Sequence, residues 1–240
     1  MGGVQVTAAW RRVWERRRFQ DGTPALSDLI VADGFDTVFG SLTVEAWSAF
    51  VARTCASMRL VTGDSLFDVG CGSGAFLHLP YRDGVAVGGV DFSETQIALA
   101  RRVMPEGDFV VSEANAMDTC RSFDVVVSCG VFCYFDSLDY AREVIQRMCT
   151  KATRAVAILD IPDAATADEA MAYRQTALGG PEAYAARYAG LDHQVYERDW
   201  FASTLKEAGL NKICVESQDI CGYENGRFRF NAYGWVPRAS

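Results

Sequence analysis

The stretch FDVGCGSGAF, residues 67–76, places three glycines within five positions, directly behind a run of strand-forming residues. Glycine is unfavourable inside an ordinary strand or helix, so such a cluster marks a tight turn or a close approach of the backbone to another group. The apolar run before it and the helical pattern after it predict a strand, a glycine loop and a helix in that order. In α/β sheets this is a place where ligands bind, and the free N–H groups of the helix favour negative charge.

Composition limits the classes of ligand. The chain has 240 residues, enough for one large domain with a substantial core, and a formal net charge of −8. An acidic chain is a poor partner for DNA or RNA, because nucleic-acid affinity comes largely from Lys and Arg on phosphates. We therefore expect a small-molecule ligand and no nucleic acid, and a homodimer stays open beside a monomer.

Cysteine usage and hydropathy indicate the compartment. The eight cysteines are scattered without a CxxC pair, and most lie in apolar runs, which is typical of reduced thiols packed in a core. No apolar stretch reaches the roughly 18 residues of a membrane helix, and the first residues lack a signal-peptide pattern. We expect a cytoplasmic protein that does not enter the membrane and holds no metal.

Short apolar runs alternate with helical periods along the rest of the chain. Runs at 85–91, 108–111, 123–129 and 155–161 predict strands, and the patterns over 94–104 and 137–149 predict helices between them. This alternation indicates an α/β fold with a doubly wound parallel sheet covered on both faces. After a helix that Gly209 ends, the tail alternates polar and apolar residues, as antiparallel or half-exposed strands do.

The glycine loop admits two ligands. Gly70, Gly72 and Ala75 satisfy the G-x-G-x-x-G/A dinucleotide fingerprint, and Asp91 follows about twenty residues later. One feature argues against a dinucleotide. Asp68 lies two positions before Gly70, where it would repel a pyrophosphate but could bind an ammonium group. The third glycine and some sixty residues of helical pattern ahead of the loop also depart from a dinucleotide domain.

With these features the sequence resembles the class I S-adenosylmethionine-dependent methyltransferases, clearly over about residues 60–160 and in outline over 195–236. The resemblance implies a Rossmann-like, mostly parallel seven-stranded sheet with an antiparallel C-terminal strand and a helical N-terminal and cap region. It divides a single domain, 1–240, into N-terminal helices or lid (1–60), cofactor-binding core (61–161), substrate cap (162–196) and C-terminal helix and strands (197–240).

The resemblance also assigns the cofactor, S-adenosyl-L-methionine, to particular residues. The first motif would lie beneath the methionine part of the cofactor, Asp91 would bind the ribose hydroxyls, and Cys129 would offer its carbonyl to the ammonium group. Phe92 would lie against the adenine, and Asn115 and Ala116 would meet its polar edge. The motif residues are Asp68, Gly70, Cys71, Gly72 and Gly74.

The acceptor would bind beyond the carboxyl ends of the fourth and fifth strands. The substrate-binding candidates there are Tyr134, Phe135, Asp160, Arg174 and Tyr196. His193 is the candidate catalytic base, because an unperturbed imidazole titrates near pH 6.5 and suits proton abstraction at neutral pH. Cys71 and Cys129 have no basic neighbours in the sequence to lower a thiol pKa, so we expect both to be packing residues.

Three functions remain open on the sequence. The first is methyl transfer to a small molecule, fitting a biosynthetic pathway. The second is a different use of the same cofactor, by aminocarboxypropyl transfer or cyclisation of its methionine part. The third is a non-catalytic cofactor-binding subunit, which the intact Asp68, Gly70, Gly72 and Asp91 disfavour.

Overall fold

Seven strands form one sheet in the computed structural model, which describes residues 8–17, 24–37 and 40–237. The strands are β1 Ser65–Val69, β2 Ala86–Asp91, β3 Asp108–Val111, β4 Phe123–Cys129, β5 Ala152–Pro162, β6 Asn211–Ser217 and β7 Arg229–Trp235. Their order is β3-β2-β1-β4-β5-β7-β6. The first five pair in parallel, and β7 runs antiparallel to both of its neighbours. The predicted Rossmann-like sheet with an antiparallel C-terminal strand is confirmed.

Helices cover both faces of the sheet. They are α1 Ala8–Glu15, α2 Leu26–Ala32, α3 Val44–Ser57, α4 Ala75–Arg82, α5 Glu94–Val103, α6 Leu138–Lys151, α7 Ala167–Ala177, α8 Pro181–Tyr188 and α9 Arg198–Glu207. Hydroxyl caps start several of them: Ser93 Oγ accepts from the N–H of Gln96 at the start of α5, and Ser137 Oγ accepts from Tyr140 N–H at the start of α6. In the part of the chain that the structure describes, no helix has the length and apolarity needed to span a bilayer.

Two hydrophobic clusters fill the space between helices and sheet. One packs Trp47, Phe76 and their neighbours from α2 to α5 against one face, and the other packs Ile145 and Phe201 from α6 and α9 against the opposite face. Strand order reverses at β1, since β2 continues to one side and β4 lies on the other. The carboxyl ends of β1 and β4 therefore border the crevice in which doubly wound folds bind ligands.

Candidate functional site

The glycine loop after β1 has a backbone that other residues adopt only with strain. Gly70, Gly72 and Gly74 have φ angles of 75°, 52° and 87°. The N–H groups of Gly70 and Cys71 donate to the carbonyl oxygen of Val90 at 2.7 and 3.0 Å, which ties the loop to the end of β2. A Cβ on Gly70 would lie 2.5 Å from a methyl of Val131. The loop is thus a bare stretch of backbone in close contact with its surroundings.

A carboxylate from the N-terminal region occupies the start of α4. Asp33, the C-cap of α2, accepts from the N–H of Ser73 through Oδ1 at 2.6 Å and from the N–H of Ala75 through Oδ2 at 3.0 Å. In a dinucleotide domain, N–H groups at this helix terminus bind the pyrophosphate. Because the side chain of Asp33 already fills the anion position, the structure argues against a dinucleotide ligand. Sequence reasoning missed this residue.

Asp68 lies beneath the loop. It is 2% exposed, and its Oδ1 has no hydrogen-bond partner among the described residues. Burial, reinforced by the nearby carboxylates of Asp33 and Asp91, raises the pKa of Asp68 well above its usual value. An orphaned carboxylate oxygen of this kind favours a ligand that brings a hydrogen-bond donor and a positive charge.

Asp91, at the end of β2, holds the loop from the other side. Its Oδ1 accepts from the N–H of Ser93 at 2.8 Å and its Oδ2 from the N–H of Gly72 at 3.0 Å. Burial raises the pKa of Asp91 to about 6, against the opposing effect of these two hydrogen bonds and of Arg11. Burial likewise raises the pKa of Asp33 to about 7. These two aspartates and Asp68 place three acidic side chains around the glycine loop, and their ionised forms would attract a cationic ligand.

The cleft above the loop has a volume of about 780 Å³ including its open mouth. Most of the predicted cofactor residues line it: Asp68, Gly70, Cys71, Gly72, Asp91, Phe92 and Cys129. The thiols of Cys71 and Cys129 are packing groups, because burial raises the pKa of each well above its usual value.

Three predicted cofactor residues lie outside the lining of the cleft. Gly74 instead caps α4, where a Cβ would meet the Cε atom of Met104 at 2.3 Å. Asn115 turns away and donates from Nδ2 to Glu143 at 3.1 Å, and Ala116 is exposed. The chain makes a 3₁₀ turn at Ala114–Ala116, so the residues that line this end of the cleft come just earlier, Ser112, Glu113 and Ala114.

Helix α1 lies across the cleft. The guanidinium of Arg11 stacks over the ring of Phe92 at 4.6 Å and pairs with Glu113. Trp14 lines the cleft, with its ring centroid 5.4 Å from that of Tyr134. The indole N–H of Trp10 donates to the carbonyl oxygen of Asp192 at 2.8 Å, which joins α1 to the segment after α8. The helix therefore contacts both the core and the region predicted to be the cap.

A second cavity adjoins the cleft, and we call it the acceptor cavity. The two share the wall residues Trp14, Asp33, Phe35, Gly130 and Tyr134. Of the residues predicted to bind or act on a substrate, the acceptor cavity contains Tyr134, Asp160, Arg174 and His193. Phe135 instead lines the cleft above the glycine loop, which we call the cofactor cleft.

Tyr196 lines neither cavity. Its ring is 1% exposed and packs against Phe132 and Phe201, and its hydroxyl donates to the carbonyl oxygen of Phe132 at 2.9 Å. A buried ring with its polar atom already bonded to backbone is a core residue. The structure therefore corrects the expected placement of Tyr196 beside a substrate.

Asp160 stands on strained backbone inside the acceptor cavity. Its φ angle is 58°, in a region that non-glycine residues rarely adopt, and it lies at a register shift between β5 and β7. Its Oδ2 accepts from the hydroxyl of Tyr223 at 3.0 Å, whereas the buried Oδ1 has no partner among the described residues. Strain of this kind at a strand end is a common property of functional positions.

His193 contacts aromatic and cationic groups. Its ring stacks on that of Trp10, with centroids 4.8 Å apart, and its Nδ1 lies 3.5 Å from Nη1 of Arg174. Because a guanidinium can only donate, Nδ1 must accept, and the neutral ring then carries its proton on Nε2. Burial, with Arg229 and Arg174 nearby, lowers the pKa of His193 well below its usual value. This geometry favours a neutral hydrogen-bond donor over a base.

Comparison with known families bears on the core of the sheet. Residues 67–156 match the family described as "Methyltransferase domain", from the middle of β1 into β5. Residues 67–156 thus resemble the methyltransferase domains of class I. The matched stretch contains the glycine loop, Asp68, Asp91 and the ends of β2 to β4, and thus most of the lining of the cleft. S-adenosyl-L-methionine is the cofactor of this class.

The chain also has relatives of known name and structure. It is 30% identical over 120 residues to dTDP-4-amino-2,3,4,6-tetradeoxy-D-glucose N,N-dimethyltransferase of Saccharopolyspora spinosa, a match covering 49% of this chain and 48% of that protein. The chain spans about half the length of the curated relatives it matches.

Solved structures share the fold. Magnesium protoporphyrin IX methyltransferase of Synechocystis PCC 6803, solved with bound SAH, superposes with a TM-score of 0.58 at 16% identity, covering 87% of this chain and 98% of that one. An S-adenosylmethionine-dependent methyltransferase of Clostridium acetobutylicum gives a TM-score of 0.60 at 12% identity, covering 82% of this chain and 94% of that one.

Proposed function

We propose that the protein transfers a methyl group from S-adenosyl-L-methionine to a small molecule bound in the acceptor cavity. The observation that carries the proposal is the charge of the cofactor cleft. Asp33, Asp68 and Asp91 surround it, and Asp33 fills the anion position at the start of α4. A cationic ligand suits such a cleft, and a dinucleotide pyrophosphate does not.

The residues present fit this cofactor. The glycine loop packs too closely for side chains, since a Cβ on Gly72 would lie 2.4 Å from Oδ1 of Asp33, and its bare backbone lines the cleft. The unpartnered Oδ1 of Asp68 would accept from the cofactor's ammonium group, and Asp91 would accept from the ribose hydroxyls with lone pairs that Gly72 and Ser93 leave unused. Glu113 and Ala114, which line the cleft, would contact the adenine in place of the neighbouring Asn115 and Ala116.

The acceptor cavity would align the nucleophile. The cofactor supplies an activated methyl group, so the protein needs mainly to orient the acceptor and exclude water. Trp14 of α1 lines both cavities and Trp10 lines the acceptor cavity, so this helix would keep water out. The unpartnered Oδ1 of Asp160 would accept the hydrogen of the acceptor's nucleophile, and His193 would orient the acceptor through its Nε2–H.

The use of the cofactor is tested by the product it leaves. The protein is incubated with methyl-labelled S-adenosylmethionine and a small-molecule cell extract, and the products are analysed by mass spectrometry. S-adenosylhomocysteine together with a labelled extract component supports methyl transfer. Methylthioadenosine would support aminocarboxypropyl transfer or cyclisation, and an unchanged cofactor would support a binding subunit. Asp68→Asn, which neutralises the unpartnered carboxylate, should lower the rate, and Asp199→Asn on the exposed start of α9 is its matched control.

We also propose that the acceptor belongs to a biosynthetic pathway in the cytoplasm. The support is the small-molecule name of the Saccharopolyspora spinosa relative and an acceptor cavity built for a small compound.

A further inference from the structure

Two neighbouring residues of the acceptor cavity each have a buried polar atom without a hydrogen-bond partner. The atoms are Oδ1 of Asp160 and Nε of Arg229, and neither has a partner in the part of the chain that the structure describes. The two residues are only 5% and 6% exposed. Leaving a buried charged group unsatisfied costs more than an ordinary hydrogen bond contributes, so a ligand that bonds to both atoms is favoured.

Hydrogen bonds hold Asp160 in one position. Its main-chain oxygen accepts from Nη1 of Arg229 at 3.2 Å, and its N–H donates to Oδ1 of Asn231 at 3.0 Å. Its Oδ2 accepts from the hydroxyl of Tyr223 at 3.0 Å. Because Oδ2 and the strained backbone are held in this way, Oδ1 is the oxygen that is left for a ligand.

Asp160 and Arg229 also balance each other's charge. Burial lowers the pKa of the Arg229 guanidinium, but the carboxylate of Asp160 is the largest of the effects that raise it, and the pKa lies above its usual value. The two groups are therefore close enough for each to be the counter-charge of the other. A neutral ligand group with one hydrogen to donate and one lone pair to offer would satisfy both unpartnered atoms.

The pair lies beside the wall between the acceptor cavity and the cofactor cleft. Gly130 lines both, and a Cβ on Gly130 would lie 3.9 Å from Oδ2 of Asp160. Asp160 belongs to the carboxyl end of β5, which is parallel to β4 and next to it. A group bound to Asp160 is thus close to the place where the methyl group would be transferred, which identifies it as the nucleophile.

The two unpartnered atoms distinguish between nucleophiles. A hydroxyl has one hydrogen and two lone pairs, so it can donate to Asp160, accept from Arg229 and attack with the second lone pair. A neutral amine has one lone pair, which the attack uses, and Nε of Arg229 would stay unsatisfied. A protonated amine has no lone pair and would be repelled by Arg229. A carboxylate has no hydrogen to donate and would be repelled by Asp160.

The other walls of the acceptor cavity favour an aromatic carrier for this hydroxyl. The rings of Trp14 and Tyr134 are 5.4 Å apart and those of Phe35 and Tyr223 are 6.0 Å apart, and all four residues line the cavity. Rigid rings of this kind suit a flat, apolar body. A phenol, with a pKa of about 10, also gives up its proton more readily than an alkyl alcohol does.

We propose that the acceptor is a phenol, and that Asp160 and Arg229 bind the hydroxyl that is methylated. This inference rests on the proposed function, since it names the acceptor of that reaction. The phenol oxygen forms a bond to the methyl carbon as the bond from that carbon to the cofactor's sulfur breaks and leaves its electrons on the sulfur. The hydroxyl proton passes to Oδ1 of Asp160, and Arg229 donates a hydrogen bond to the oxygen. The products are an aryl methyl ether and S-adenosylhomocysteine.

Calorimetry on the full chain tests the inference without turnover. The protein is saturated with S-adenosylhomocysteine at about pH 7, where phenols are uncharged, and is titrated with 2-naphthol and 4-phenylphenol. The controls are the amines of the same shape, 2-naphthylamine and 4-aminobiphenyl, and the anion 2-naphthoate. We expect at least one phenol to bind about 10- to 100-fold more tightly than its matched amine. The inference is overturned if neither phenol binds, if the matched amines bind equally well, or if 2-naphthoate binds more tightly than both phenols.

Variants locate the hydroxyl. Arg229→Met should remove the preference for a phenol over its matched amine, because only the phenol has a lone pair for Nε. Arg229→Lys, which keeps the charge and lacks the Nε–H, should retain part of the preference. Asp160→Asn should weaken binding of the phenol about 3- to 10-fold, because a charge-assisted hydrogen bond becomes a neutral one. Arg142→Met is the matched control: Arg142 lies on α6, pairs with Asp139, and should change neither value.

The first titration separates this inference from the proposed function. If S-adenosylhomocysteine binds and the phenols fail, the acceptor class is wrong and the cofactor assignment stands. If S-adenosylhomocysteine itself fails to bind, the proposed function fails. Each variant is included only after its affinity for S-adenosylhomocysteine is shown to lie within about threefold of wild type, which is evidence that the cleft is intact. Unchanged preference in both Arg229 variants, or unchanged phenol affinity in Asp160→Asn, would contradict the assignment.

Discussion

The cofactor cleft and the acceptor cavity share a wall but differ in the charged groups that line them. Three aspartates line the cleft, whereas two buried guanidiniums line the cavity near Asp160. Asp33 and Tyr134 belong to both linings. The charged groups thus differ on the two sides of one wall, where the cofactor and the acceptor of the proposed reaction would meet.

The two regions also differ in how the chain builds them. The cleft comes mainly from the ends of neighbouring strands and the loops that follow them, within residues 67–156 that match the methyltransferase family. The acceptor cavity combines α1, the cap helices and the start of β7, which lie far apart in the sequence. A shared reaction core can thus keep its cofactor while the surrounding segments change the acceptor.

The largest expected effect is a loss of cofactor binding when a side chain is added to the glycine loop. Gly72→Val places a branched side chain at a φ angle of 52°, where a Cβ would lie 2.4 Å from Asp33 Oδ1. We expect the affinity for S-adenosylhomocysteine to fall at least about 100-fold in calorimetry, or about 2.7 kcal/mol. The melting temperature should fall as well, because α2 is attached to the loop through Asp33.

Gly63→Val is the matched control for this change. Gly63 also has a positive φ angle, 91°, but no atom lies within 4 Å of a Cβ there. This variant should lose stability and keep its affinity for the cofactor product. Normal binding by Gly72→Val would show that the loop does not approach the ligand.

Asp91 is expected to have the next largest effect. Asp91→Ala removes the proposed contact with the ribose and should weaken binding of S-adenosylhomocysteine by about 1.5–3 kcal/mol. The variant also loses two hydrogen bonds that hold the loop, from the N–H groups of Gly72 and Ser93, so some stability should be lost with it. Calorimetry and thermal melting on one preparation measure both, and unchanged affinity would contradict the ribose assignment.

Replacing Asp33 is expected to have a smaller effect, which is on the pH dependence of the protein's stability. Its folded pKa is raised by burial to about 7 from an ordinary 3.8, so the folded protein holds this proton more tightly than the unfolded chain does. The resulting stability is present below about pH 4 and is lost as the pH rises through about 7. Cofactor-free wild type should therefore lose more stability between about pH 5.5 and 8 than Asp33→Asn, by about 2–4 °C in melting temperature.

Asp199→Asn, on the exposed start of α9, is the control for Asp33→Asn and should follow the wild-type pH profile. Equal slopes for wild type and Asp33→Asn would show that Asp33 is not the titrating group. This test concerns the empty cleft only. A cation that binds there should offset the loss at high pH, because it pairs with the ionised carboxylates.

The smallest expected effect concerns the protonation state of the His193 imidazole. The chain has two histidines, so ¹⁵N-detected NMR can resolve both. We expect His193 to remain neutral, with its proton on Nε2, at about pH 6, where an ordinary histidine is mostly charged. Arg229→Gln should raise the pKa of His193, because it removes one of the two charges that lower it.

The kinetic role of His193 remains a prediction with two outcomes. If His193 only orients the acceptor as a hydrogen-bond donor, His193→Ala should lower turnover less than about tenfold. If His193 is the catalytic base that the sequence indicated, His193→Ala should lower turnover by about 10²–10⁴. Its affinity for the cofactor should stay within about twofold of wild type. Asp160→Asn is the companion variant, since Asp160 offers the alternative proton acceptor.

Much of the fold and of the cleft could be predicted because their signals are local. The glycine loop, the strand before it and Asp91 at the next strand end each lie in a short stretch whose pattern determines its structure. The assignment of Asn115 and Ala116 missed the cleft lining because the 3₁₀ turn leaves Glu113 and Ala114 there, while Asn115 bonds to Glu143 and Ala116 is exposed. Turns of a few residues are where such pattern reasoning is least accurate.

The remaining residues could not be predicted from local pattern. Nothing in the sequence joins Asp33 to Ser73 and Ala75, since that contact depends on how α2 packs against α4. Arg229 enters the acceptor cavity because β7 runs antiparallel to β5 and places it opposite Pro162 at the carboxyl end of the sheet. Long-range packing and register, rather than any motif, determine these positions.

The measurement that tests the central claim most directly is parallel calorimetry of the wild-type protein with S-adenosylmethionine and with NAD. The cleft of Asp33, Asp68 and Asp91 suits a cationic ligand, and Asp33 fills the anion position at the start of α4. We expect saturable binding of one S-adenosylmethionine per chain and no saturable binding of NAD. Saturable binding of NAD without binding of S-adenosylmethionine would contradict it.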